Sequence, residues 1–150
     1  YERHLEIVRE IGDRRGEGAA LGNLGNTYTE LGEIRRAIEF HEQALKIFRD
    51  IGDRRAEGQV LGNLGNAYAD LGETRRAIEF HEQALKVSRD IGDRRGEGIS
   101  LYNLGNELAK AGEPGQAITR LQEALKIFEE IEAPHADQAR AALARLKGDD

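Results

Sequence analysis

Apolar positions along the chain recur with helical spacing, in the same order, three times over. Between about 14 and 30, Leu21, Leu24, Tyr28 and Leu31 stand at i, i+3, i+7 and i+10, one apolar stripe on a helix. Gly32 interrupts it. A wider stripe follows over about 34–51: Ile34, Ala37, Ile38, Ala44, Leu45 and Phe48, broadened by Phe40, Ile47 and Ile51. That width predicts a helix touching both its own partner and the next helix pair. Gly12 suits the left-handed residue that closes a helix, and Asp13 can accept hydrogen bonds from the first free amides of the next. Each unit therefore reads as two helices that cannot bury their apolar faces alone, so units must stack.

The period is 40 residues without insertions. Ile11-Gly12-Asp13-Arg14-Arg15 returns as Ile51 to Arg55 and again as Ile91 to Arg95; units 11–50 and 51–90 differ at nine positions, and unit 91–130 differs from the first at 18. Residues 1–11 read as the back half of a second helix, with Leu5, Ile7 and Val8 in register with Leu45, Ile47 and Phe48. Its own first helix is missing, so Leu5, Ile7, Val8 and Ile11 should be only partly covered. This predicts a weak homodimer through residues 1–11. Residues 131–150 read as a capping helix and tail. Pro134 suits a first turn, Ala139, Ala142, Leu143 and Leu146 would cover the last unit, Arg140, Arg145 and Lys147 would face water, and Gly148-Asp149-Asp150 should fray. The whole is one array, 1–150, in an all-α class.

Leu21-x-x-Leu24-Gly25-x-x-Tyr28 followed by Gly32, Ala37 and Ala44, repeated as Leu61, Leu64, Gly65, Tyr68, Gly72, Ala77 and Ala84, resembles the tetratricopeptide (TPR) repeat. The likeness covers nearly the whole chain. It departs where the usual first Trp is Leu21, Leu61 and Leu101, where the second-helix aromatic is His41, His81 and Leu121, where Tyr28 becomes Leu108, and where the closing Pro is absent. The 40-residue unit with an Asn-rich first helix is similar to the repeats of Partner-of-Inscuteable polarity adaptors and of bacterial multidomain signalling proteins. The resemblance implies a right-handed α-solenoid whose first helices line a concave groove that binds extended peptide segments of partner proteins.

Composition narrows the picture by exclusion. The net charge of −6 argues against a nucleic-acid binder. No run approaches the ~20 apolar residues of a membrane span. The chain opens Tyr1-Glu2-Arg3-His4, without Met and without the apolar stretch of a secretory signal, so a cytoplasmic piece of something longer is expected. With no Cys there is no disulfide frame and no thiolate ligand.

On a helical wheel, one face of each first helix lies away from the core stripe. It carries Arg15, Ala19, Gly22, Asn23 and Asn26 in the first unit, Arg55, Gln59, Gly62, Asn63 and Asn66 in the second, and Arg95, Ile99, Tyr102, Asn103 and Asn106 in the third. All six asparagines of the chain stand on this face, although Asn is a poor helix-interior residue. An amide offers donor and acceptor together, which matches an extended peptide backbone. The same amides can instead bridge adjacent helices. Gly22 leaves room for a ligand backbone, and Tyr102 in its place would wall the groove or stack on a ligand. Gly25, at a helix contact, reads as structural. Arg15, Arg55 and Arg95 can hold carboxylates of a ligand or pair with Asp50, Glu17 and their equivalents. Arg35-Arg36 and Arg75-Arg76 read as solvated.

Catalysis finds no support. His41-Glu42 lacks the second His of a zinc-protease helix, and His41 and His81 fall on a core-facing position. Ser88 and Ser100 have no adjacent base, and Gly22-x-x-Gly25 lies within a helix, not in a phosphate loop. Neither cofactor nor metal is expected. The sequence points to a protein–protein interaction scaffold binding an extended, acidic peptide. An engineered or duplicated array without a dedicated ligand, or a sensor segment of a larger bacterial signalling protein, fits the same features.

Overall fold

The structure, a computed structural model, describes residues 1–148; the fraying expected of Asp149 and Asp150 lies outside the described residues. Among these are eight helices: α1 (Glu2–Glu10), α2 (Arg14–Glu30), α3 (Ile34–Ile51), α4 (Arg54–Asp70), α5 (Thr74–Ile91), α6 (Arg94–Lys110), α7 (Pro114–Glu130) and α8 (His135–Lys147). Helices α2–α3, α4–α5 and α6–α7 are the three repeated pairs, and the chain forms a TPR-like α-solenoid.

The punctuation of the repeat sets these boundaries. The carboxylates of Asp13, Asp53 and Asp93 accept hydrogen bonds from the backbone N–H groups of Gly16, Ala56 and Gly96 at 2.8, 3.1 and 3.0 Å. Gly52 and Gly92 end α3 and α5 in the left-handed conformation, at φ 73° and 72°. At the corresponding place after α7 stands Glu132, with φ 53°, so the decayed end of the repeat holds the turn without its glycine. Pro134 occupies the residue just before α8, one step ahead of the first turn expected for it.

Within each pair a glycine lets the helices touch. A Cβ on Gly25 would stand 2.6 Å from the His41 ring, and one on Gly65 2.5 Å from His81. The third unit places Gly105 against Leu121 at 2.7 Å in the same sense. Leu21, Leu61 and Leu101 lie fully buried between the helices, whereas Leu31 at the end of α2 is exposed. Tyr28 stacks on Phe40 at 5.3 Å, and the Arg36 guanidinium sits 4.1 Å from the Tyr28 ring centre. Tyr68, Phe80 and Arg76 repeat the stack. Arg36 and Arg76 therefore do more than face water, since their charge lies against an aromatic face. The stack is lost in the third unit, where Leu108, Gln116 and Arg120 replace its members.

Neighbouring pairs are joined by apolar contact and by arginines. Arg49 Nε lies 3.1 Å and Arg54 Nη1 2.8 Å from the buried Glu57 carboxylate, while Arg54 Nη2 reaches Asp90 at 3.0 Å. Arg89 and Arg94 hold Glu97 in the same way one unit on. Arg9 and Arg14 do so for Glu17, and the bond from Arg9 above all holds the Glu17 carboxyl below the usual range.

The two ends differ. At the N-terminal edge the four apolar residues do not share one environment. Leu5 and Val8 are buried against α2, whereas Ile7 and Ile11 are 47% and 71% exposed. The difference from a complete unit is at Ile7, whose counterpart Ile47 is 4% exposed beneath α2, while Ile51, the counterpart of Ile11, stays 40% exposed. At the other end, Ala142 and Leu143 of α8 join Leu121 in a buried cluster, with Tyr102, Leu125 and Leu146 packed around it. Arg140, Arg145 and Lys147 are exposed.

Candidate functional site

Alternate helices meet on one side of the stack, α4 with α6 and α6 with α8, all of them first helices or their equivalent. That side is the inner, concave one, and it carries the face picked out on the helical wheel.

Two open clefts run between adjacent first helices. The first, of about 250 Å³, lies between α2 and α4 and is lined by Arg15, Gly22, Asn23, Asn26, Asp53, Gln59 and Asn63, with Phe48 and Val60 behind. The second, of about 410 Å³, lies between α4 and α6. Its polar lining is Arg55, Gln59, Asn63, Asn66, Ser88, Asp93, Arg95, Ser100 and Asn103, and its large apolar lining residues are Val87, Ile91 and Ile99. Nothing stands within 4 Å of a Cβ built on Gly22 or Gly62, so both clefts have open floors at these positions.

The structure brings nine of the eleven sequence-predicted groove residues to these clefts. Asn106 and Tyr102 line neither. Tyr102 is half-buried against the cluster of Leu121, Ala142 and Leu143, so its ring serves the packing of α8.

The amides divide into two kinds. Asn63 Nδ2 donates to Asn26 Oδ1 at 3.2 Å, a bridge between α4 and α2. Asn23, Asn66, Asn103 and Asn106 make no side-chain amide hydrogen bond to another described residue, so their donors and acceptors are open to a ligand.

The arginines have partners other than those expected from the sequence. It is Arg14 that pairs with Glu17 at 2.8 Å and Asp50 at 3.6 Å. Arg15 Nε instead lies 3.1 Å from Asp53, the cap of the next first helix, and Arg55 Nη1 lies 3.7 Å from Asp93. Asp53, Asp93, Phe48, Val60, Val87 and Ile91 are among the lining residues that the wheel did not pick out. The aspartates were readable in part: Asp13, Asp53 and Asp93 follow the left-handed glycines as caps. Their reach into the groove depends on how far one pair is rotated against the next.

His41 and His81 lie away from both clefts, each 1% exposed, with Nδ1 lacking a hydrogen-bond partner among the described residues. Burial lowers both imidazoles to about 4, and Lys110 adds to the effect at His81. Among the described residues no group of three or more His, Asp or Glu is placed to hold a metal ion, and no helix is long and apolar enough to cross a membrane.

A sequence-family model of the tetratricopeptide repeat matches residues 1–50 and 53–130. A stretch of 37 residues is 54% identical to the G-protein-signaling modulator 1 of Mus musculus, Rattus norvegicus and Homo sapiens, covering 25% of this chain and 6% of those proteins. Among solved structures, the apo form of RapI is similar with a TM-score of 0.90 at 20% identity, over 95% of this chain and 40% of that one. A signal-transduction ATPase with a tetratricopeptide repeat sensor, from Pyrococcus horikoshii, matches with a TM-score of 0.85 at 26% identity, over 99% of this chain and 24% of that one. This chain thus spans only a small part of the length of the curated relatives it matches.

Proposed function

The chain belongs to the tetratricopeptide repeat family, and from that premise we propose that it is a cytoplasmic protein-interaction module whose concave face holds an extended, acidic peptide segment of a partner protein. The observation that supports this most is the row of unengaged amides, Asn66 and Asn103 foremost, both lining one open-floored cleft. Each can donate to and accept from a peptide backbone without losing a bond already made in the fold. The reading is one of binding and not of catalysis, with no cofactor. A sensor role within a longer signalling protein uses the same groove and is supported by the likeness to the Pyrococcus horikoshii ATPase, whose repeats are named as its sensor.

Replacing Asn66 with Ala should weaken binding of a groove peptide about fivefold, since one amide hydrogen bond left unmade costs on the order of 1 kcal/mol. Helicity by circular dichroism should not change, because Asn66 is exposed and bonds nothing. Asn63→Ala should weaken binding similarly and lower the melting temperature slightly through the lost bridge to Asn26. Isothermal titration with peptides selected from a random library checks both. Unchanged affinity in both variants would remove the amides from the site.

A second contact is proposed at the N-terminal edge, where Ile7 would support weak self-association by meeting its equivalent in a second copy. Sedimentation velocity at rising concentration should show a dimer that Ile7→Glu abolishes. Changes at Leu5 or Val8 would unfold α1 from α2 instead, since both are buried. A parent chain that stays monomeric at hundreds of micromolar would dispose of the dimer.

A further inference from the structure

The two clefts have the same arginine on the same first-helix face, but its surroundings change along the array. In the first cleft Arg15 is met by Asp53, and at the next junction Arg55 is met by Asp93. The residue 40 positions after Asp93 is Ala133. It occupies the same place in the backbone: the N–H of Ala133 donates to Phe128 O at 2.8 Å, as Asp53 N–H does to Phe48 O and Asp93 N–H to Ser88 O, both at 2.9 Å. Arg95 is thereby left without a carboxylate; it forms no ion pair with any described residue, and it lines the larger cleft. That cleft also holds Ile99, an apolar residue at the position where the first two units have Ala19 and Gln59.

We infer that the cleft between α4 and α6 selects the ligand, with Arg95 receiving an acidic side chain and Ile99, Val87 and Ile91 receiving an apolar one. Four residues of helix separate Arg95 from Ile99, an axial rise of about 6 Å. An extended peptide covers about 6.6 Å in two residues and presents those two side chains on one face. The ligand class is thus a segment reading acidic, any residue, apolar. Arg15 and Arg55 contribute less, as each already faces an aspartate. The inference rests on the peptide-groove reading and names the specificity of that same site.

Two heptapeptide pools provide the probe, X-X-Glu-X-Leu-X-X and the same pool with Gln for Glu, where X is a mixture of uncharged residues. The full chain should bind the Glu pool about tenfold more tightly than the Gln pool, the range of a hydrogen bond to a charged group. Ala133→Asp should restore the missing carboxylate, pair with Arg95 and erase that preference, leaving Gln-pool binding in place. Ala133→Asn, of equal size without the charge, should keep it, and Arg95→Gln should lose it with residue 133 intact. Equal binding of the two pools by the parent chain, or a preference that survives both Ala133→Asp and Arg95→Gln, would overturn the inference and leave the groove reading standing. Failure of both pools to bind the parent chain would overturn the two together.

Discussion

Acidification from pH 7 to pH 4.5 should destabilise the array by several kcal/mol, and the His41→Leu, His81→Leu double variant should lose most of that sensitivity. Both imidazoles are buried and neutral in the fold, with their proton affinity lowered to about 4, against 6.5 in the unfolded chain. Above pH 6.5 neither state is protonated and the histidines add no pH dependence. As pH falls from 6.5 toward 4 the unfolded chain takes up the protons first, so stability is lost progressively across that window. Below about 4 the folded protein is protonated as well and the loss levels off. Each unit of pKa difference corresponds to about 1.4 kcal/mol, so each histidine accounts for roughly 2–3 kcal/mol by pH 4.5. That is a large share of the ~5–15 kcal/mol that holds an ordinary domain together. Leu fits the position, since Leu121 fills it in the third unit, fully buried against Gly105. The variant should also gain some stability at pH 7, where the unpartnered Nδ1 atoms are a cost. Urea unfolding followed by circular dichroism at pH 7, 6, 5 and 4.5 checks the prediction. Parallel pH dependence in parent and variant would assign acid sensitivity to the carboxylates that pair with arginine, Glu17 among them.

Removing residues 132–150 should lower the melting temperature by roughly 10 °C or more and promote self-association. Helix α8 buries Ala139, Ala142 and Leu143 against the third pair, and His135 stacks on the fully buried Phe128 at 5.2 Å. Without α8, Leu121, Leu125 and Tyr102 lose a neighbour. Each large apolar side chain returned to water costs about 1.5–3 kcal/mol, and in a chain of this size about 1 kcal/mol corresponds to 2–4 °C. In a linear array the exposed end is also a site for stacking on another copy. Differential scanning calorimetry and light scattering on the truncated chain would show both effects. A melt and a monomer unchanged by truncation would mean that α8 contributes nothing to the end of the stack.

The fold was legible because its signals are local and repeated. Apolar spacing, Asp13, Asp53 and Asp93 as caps, and Gly52 and Gly92 as left-handed stops each act within a few residues. A period of 40 without insertions then forces every unit into one conformation. The concave face was legible for the same reason, since residues on one side of a helix follow from their spacing alone. What the wheel could not supply was the partner of each groove side chain. Arg15 meets Asp53 and not Glu17, Asn63 bridges to Asn26 while Asn66 bonds nothing, and Tyr102 packs against α8. Leu5 and Val8 are covered while Ile7 is not. Each of these depends on the rotation and rise from one helix pair to the next, which sum many weak contacts between residues about 40 apart. Helix spacing dictates which face a residue occupies; only the stacking of pairs decides which residue of the next unit stands opposite, and so which charges on the concave face are paired, as Arg15 is, and which are not, as Arg95 is not.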